Sequence, residues 1–157
     1  MKICLLTIGK TTTPYLKEGI EEYICRISRM IQFEMRNLPD VKTSKKLTPE
    51  LQKISEGEMI LSQFQGGDHV VLLDERGKEF TSRQFSEFIE RQTMAVSKNL
   101  YFVVGGPYGF SQGVYDRANS MMSLSKMTFP HEMVRMFFVE QLYRACAISR
   151  NLPYHHD

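Results

Sequence analysis

Three stretches of this chain carry almost no polar residue: Ile3–Ile8, residues 70–73 and Leu100–Val104. A strand with one face in water alternates polar and apolar side chains, whereas a run without alternation has both faces covered. Each run is cut short, by Gly9, by Asp74-Glu75-Arg76-Gly77 and by Gly105-Gly106-Pro107. Each is followed by a stretch of helical spacing. Strands buried on both faces and separated by helices require a mostly parallel sheet with helices on both faces, the α/β class.

Local signals place the helices. Thr13-Pro14 and Thr48-Pro49 each put Thr at an N-cap and Pro at the first helical position. Leu16, Ile20, Tyr23, Ile24 and Ile27 then line one face of the first helix. The second is expected to run toward Gln65 and stop at Gly66-Gly67. Thr81 and Gln84 have the spacing of a capping box, and Ser111 can cap a short helix through about Asn119. Pro130 opens a long last helix that ends near Ser149, before Asn151, Leu152 and Pro153. Ile31, Phe33 and Met35 alternate with polar residues, which suggests a half-covered strand, and residues 121–124 suggest a short one. Residues 38–47 lack a period and hold Lys42, Lys45 and Lys46, so they read as a polar loop.

The last helix breaks the one-sided pattern. Met133, Val134, Met136, Phe137, Phe138, Val139, Leu142, Tyr143 and residues 145–148 wrap most of its circumference. A helix apolar on all sides must be covered on all sides. Either it is a central core helix, or one side packs on the sheet and the other on a second copy of the chain. A chain of 157 residues has limited material to cover one helix twice, which favours the second copy.

Residues 1–157 show no repeat, low-complexity tract or linker and are expected to form one domain. Twenty Lys and Arg against 18 Asp and Glu give a formal charge of +2, which argues against a protein coated in positive charge but permits a local nucleic-acid patch. No run approaches the ~18 apolar residues of a membrane span. Cys4, Cys25 and Cys146 are odd in number and far apart, as expected for free thiols in a reducing cytoplasm.

In open parallel sheets, ligands sit beyond the carboxyl ends of the strands. Three such ends are unusual here: Leu73-Asp74-Glu75, the loop GGPYG at 105–109, and residues 124–129. The glycine loop is either a ligand loop, with backbone groups laid open, or a turn that needs positive φ. His131-Glu132-Met133-Val134-Arg135 begins like a zinc-protease motif, but Arg replaces the second His and no metal site is expected. Gly109-Phe110-Ser111-Gln112-Gly113 spells the serine-hydrolase motif, yet residues 105–108 separate it from the strand that should precede it. His131 and Arg135 are one turn apart and are expected to share a face, as are Glu140 and Arg144, an acid-first ion pair.

The segments LDERGKEFTS at 73–82, FVVGGPYGFS at 102–111 and LSKMTFPHEMVRMFFVEQLYRACAISRNLPYHHD at 124–157, with the opening MKICLLTIGK, resemble the RlmH family of SPOUT-class RNA methyltransferases. The resemblance covers essentially the whole chain. It implies an α/β domain whose C-terminal part threads into a trefoil knot and which works as a homodimer. It also implies transfer of a methyl group from S-adenosylmethionine to N3 of a pseudouridine in 23S ribosomal RNA, free or in the assembled ribosome. By matched motif, the cofactor contacts would be Leu73, Gly105, Leu124, Ser125, Lys126, Met127, Thr128 and Phe129. These fall on the three strand ends singled out above.

The same resemblance directs attention to the tail. A sulfonium methyl is already electrophilic, so the remaining tasks are alignment and removal of the N3 proton. His155, which matches the family position, is the first candidate base and His131 the second. Arg135 or Arg144 would hold RNA phosphate or a developing oxyanion, and Tyr154 would stack on a base. The family pattern has Arg at the position of His156, another candidate RNA contact. Two other readings compete: an RNA- or ribosome-binding protein without catalysis, and a hydrolase centred on Ser111.

Overall fold

The computed structural model describes residues 1–42, 44 and 46–157; Lys45 of the polar loop lies outside the described residues. The apolar runs become strands whose successive side chains enter opposite cores. Strand β1 is Ile3–Ile8, β2 Phe33–Leu38, β3 His69–Glu79, β4 Leu100–Val104 and β5 Ser120–Ser123. They form one all-parallel sheet in the order β2-β1-β4-β3-β5. Ile3, Leu5, Val71, Leu100 and Phe102 point to one face, beneath helices α1 (Pro14–Ser28), α3 (Ser82–Ala95) and α5 (His131–Ser149). Cys4, Leu6, Val70, Leu72, Tyr101 and Val103 point to the other, beneath α2 (Pro49–Leu61) and α4 (Gln112–Arg117).

The helix ends follow their capping chemistry. The Thr81 hydroxyl accepts the Gln84 N–H at 3.1 Å, and the Gln84 side chain accepts the Thr81 N–H at 2.9 Å. Thr48 and Ser111 cap through their side chains, whereas Thr13 does not. Glu132 of α5 takes over at that end, accepting the N–H groups of Thr12 and Thr13 at 2.5 and 3.1 Å. The α2 helix ends at Leu61, short of Gln65, and α4 ends at Arg117. At the end of α5, Asn151 adopts φ 55°, the Leu152 N–H reaches Ala147 O at 2.9 Å and the Asn151 N–H reaches Ile148 O at 3.1 Å. That pair of bonds is a Schellman stop, with Asn in the left-handed position usually given to Gly.

Two expectations change. First, α5 finds most of its cover inside the chain. It lies between α1 and α3, with Phe138 4.7 Å from the Phe102 ring on β4 and Tyr143 5.8 Å from Tyr23 on α1. Phe137 is the one large apolar side chain of α5 among the exposed residues, at 37%. The apolar girth of this helix therefore does not by itself require a second copy. Second, Asp74-Glu75-Arg76-Gly77 does not end β3. Leu73 and Lys78 both register with Met122 of β5, and the residues between them bulge outward. Gly77 makes this possible: a Cβ there would lie 2.5 Å from the Met122 backbone.

Two substitutions separate these contacts. Phe138→Ala should cost about 3–5 kcal/mol of unfolding free energy and Phe137→Ala about 1 kcal/mol or less, read by chemical denaturation. Gly77→Ala should speed amide exchange at Met122 and Lys78 while leaving β1 and β2 protected.

Candidate functional site

Parallel pairing brings the carboxyl ends of β3, β4 and β5 to one edge, where two connected hollows open. The larger, about 570 Å³, lies between the Asp74 bulge, the 105–110 loop, Tyr115 and the start of α5. The smaller, about 170 Å³, lies between the same bulge and residues 123–129. Leu73, Asp74, Glu75, Phe129 and Val134 line both. Leu73, Gly105, Leu124, Ser125, Met127, Thr128 and Phe129 are thereby brought together. Lys126 is not: its side chain is exposed and points toward Glu79, 3.9 Å away.

The cleft holds a fixed negative charge that the sequence did not mark as a site residue. The Asp74 side chain is 9% exposed. The Tyr115 hydroxyl donates to it at 2.5 Å, and the Arg76 N–H donates at 2.9 Å. Burial pushes the Asp74 carboxyl upward, but these bonds and the Arg76 guanidinium outweigh it and hold the net value below the usual carboxylate range. Arg76 also stacks over the Tyr115 ring at 4.9 Å. A DERG sequence directly after an apolar run was the available signal, because the outward bulge that interrupts β3 there carries Asp74 to the ligand edge.

The glycine loop is shaped from behind. A Cβ on Gly105 would meet the Phe110 ring at 3.1 Å, and one on Gly106 would overlap the Glu56 carboxylate of α2. The turn closes with the Gly109 N–H on Gly106 O at 3.2 Å. Packing thus accounts for these glycines at the same time as the loop lines the cleft. Ser111 follows as a cap, 8% exposed and pressed against Gly57. It is not displayed on a sharp turn at the sheet edge, as a hydrolase nucleophile must be.

The first turn of α5 divides its roles. His131 is exposed and borders the larger hollow. Arg135 does not share that face. It is 1% exposed, and its guanidinium donates to Ile8 O at 2.8 Å and Thr11 Oγ1 at 3.0 Å. Burial lowers its pKa against the opposing pull of Glu132 and Asp40. Arg135 therefore ties α5 to the end of β1, and within this chain it offers no surface to a phosphate. The described residues contain no cluster of three metal-ligating side chains.

The tail is docked. The Tyr154 hydroxyl meets Tyr23 Oη at 2.8 Å and Glu140 Oε1 at 3.0 Å, and burial, together with these partners, pushes its pKa up. Arg144 pairs with Glu140 at 2.6 Å, as its spacing predicts, and lies 4.7 Å from the Tyr154 ring centroid. Arg144 Nη1 is 3.2 Å from His155 Nδ1, and His155 Nε2 is 3.1 Å from Asp157 Oδ1. Arg83 of α3 clasps the Asp157 carboxylate at 2.7 and 2.6 Å. Arginine only donates, so Nδ1 is the acceptor and Nε2 carries the proton toward Asp157. His156 is exposed. Glu140 connects this network to a third hollow of about 320 Å³, lined in part by Phe80, Leu124 and Phe137. Residues 123–125 and Phe129 form the wall between that hollow and the smaller one.

Comparison with known proteins agrees with this arrangement. A family model described as a predicted SPOUT methyltransferase matches residues 1–155. The protein named ribosomal RNA large subunit methyltransferase H from Parabacteroides distasonis is 55% identical over the full length of both chains. Its namesake from Christiangramia forsetii is 54% identical over 99% of each chain, and that from Bacteroides fragilis 49% over all of both. With a parallel sheet, a cleft at its carboxyl edge and end-to-end similarity, the chain belongs to the SPOUT methyltransferase family.

Proposed function

We propose that this chain transfers a methyl group from S-adenosylmethionine to N3 of a pseudouridine in 23S ribosomal RNA. The observation that carries the reading is the cleft at the carboxyl ends of β3, β4 and β5. It combines apolar walls at Leu73, Leu124, Phe129 and Val134 with the fixed Asp74 carboxylate. This combination suits a ligand with a flat adenosyl part and a positive charge. Leu73, Gly105 and residues 124–129 would hold it, Lys126 through its backbone.

When bound, the cofactor supplies a methyl group that is already electrophilic on a sulfonium, so no metal is needed. The chain must exclude water, align N3 with that methyl and accept the N3 proton. His131 stands at the cleft with its ring exposed, ready for that proton. His155 has its Nδ1 lone pair facing Arg144, so it becomes a base only after the arginine turns away. Arg144, Tyr154 and His156 would meet RNA at the docked tail, while Arg135 would serve by anchoring the β1 end. We further assign a homodimer, a trefoil-knotted C-terminal segment, a cytoplasmic location and a substrate of ribosomal RNA or the assembled ribosome. A dimer would let two chains pool basic groups for one RNA site, including Lys42 and Lys46.

Calorimetric titration with S-adenosylmethionine should show binding with Kd below about 1 mM, and absence of binding at that concentration overturns the reading. Asp74→Asn should weaken that binding on the order of tenfold, the scale of one lost charge interaction. In single-turnover assays at saturating RNA, His131→Ala should slow methyl transfer on the order of a hundredfold and His155→Ala less. The reverse order would assign the base to the tail.

A further inference from the structure

Glu56 is the least explained charged residue in the described chain. It sits in the middle of α2, 2% exposed, on the side of the 105–109 turn away from the cleft. Its Oε1 has no hydrogen-bond partner among the described residues, and Oε2 has only the Gln52 amide at 3.5 Å. Both oxygens occupy the space where Gly106 would otherwise carry a Cβ. One residue on, Gly57 makes equivalent room for Ser111. An apolar side chain could fill this space without the cost of burying a carboxyl group. An acid with one oxygen left without a partner among the described residues, packed against a turn that lines the ligand cleft, fits a group that holds that turn in place.

We propose that Glu56 is a positioning residue for the cofactor cleft: its carboxyl group, packed where a Gly106 Cβ would lie, braces the Gly105–Gly106 turn from behind. Ionisation places a buried negative charge against the turn.

The surroundings favour the neutral form. Burial raises the Glu56 pKa first, the Gln52 hydrogen bond opposes it, and the Asp40 charge raises it further. Asp40 comes from the segment between β2 and α2. The turn and Ser111 bring no charge. Arg135, the buried cation of this edge, interacts with Asp40 and Glu132. The sign follows. A carboxyl whose folded pKa is raised costs the folded state nothing below its ordinary value, about 4.3, and progressively more as pH climbs to the folded value, above which the cost is constant.

The test has three arms on the full chain. In unliganded protein labelled with carbon-13, the Glu56 carboxyl signal should titrate above the ordinary glutamate range. The amide signals of Gly105 and Gly106 should move with the same midpoint, and in Glu56→Gln that movement should vanish. Thermal unfolding of Glu56→Gln should exceed wild type at pH near 8, with the gap closing toward pH 4. The affinity arm rests on the cofactor reading above. Wild-type affinity for S-adenosylmethionine should fall severalfold as pH rises through that midpoint, Glu56→Gln should keep the low-pH affinity throughout, and Glu56→Ala should be weak at every pH. A Glu56 signal with an ordinary midpoint, or loop amides that titrate alike in both proteins, overturns the proposal. So do parallel affinity profiles in wild type and Glu56→Gln. Absence of any cofactor binding would sink the cofactor reading, while the unliganded arms still decide whether Glu56 braces the turn.

Discussion

Burial of β1, β3 and β4 on both faces is the constraint on which the rest of the molecule depends. Leu5 and Phe102 enter one core while Leu6 and Val103 enter the other, so neither face of these strands can be left to water. Helices must cover both sides, and parallel pairing makes every connection cross the sheet and return. All carboxyl ends then fall on one edge. The cleft is a product of this topology, because three loops of unrelated sequence have nowhere else to emerge.

Polar side chains then adjust that edge from within. Arg135 and Glu132, both on the first turn of α5, grip the end of β1 and the start of α1. The same turn follows directly from residues 124–129, so the loop that walls two hollows is anchored to the opposite half of the sheet. Tyr115 and Arg76 hold Asp74 ionised in a partly buried place. Glu56 fills the space behind Gly106. Each of these groups is buried or pinned, as preorganised binding edges require.

Much of this was legible in the residues. The five strands, the Thr81–Gln84 capping box, the Ser111 cap, the Glu140–Arg144 pair and the three strand ends that meet at the cleft follow from spacing and local chemistry. Other features were hidden for identifiable reasons. The outward bulge at 74–77 depends on the backbone of Met122, 45 residues away, meeting Gly77. The inward turn of Arg135 depends on the Ile8 carbonyl, which a helical wheel of α5 does not contain. The cover of α5 by α1 and α3 depends on helix placement, which the apolar girth of the helix does not reveal. The tail is held by Tyr23, Arg83, Glu140 and Arg144 from three helices, contacts that its own residues do not record.

The sequence by itself determined the class of fold, the edge at which a ligand must lie and the family to which the chain belongs. Apolar period, caps and motifs are properties of neighbouring residues, and these outcomes rest on them. Tertiary structure alone decided which side chains remain available for chemistry. His131 and Arg135 stand one turn apart on the same helix, yet one meets the cleft and the other is spent on a backbone carbonyl. Asp74 and Glu56 are both acids at the same edge, yet hydrogen bonds hold one charged while burial beside Asp40 favours the neutral form of the other. Availability and charge depend on what lies across the fold, and no local pattern records it.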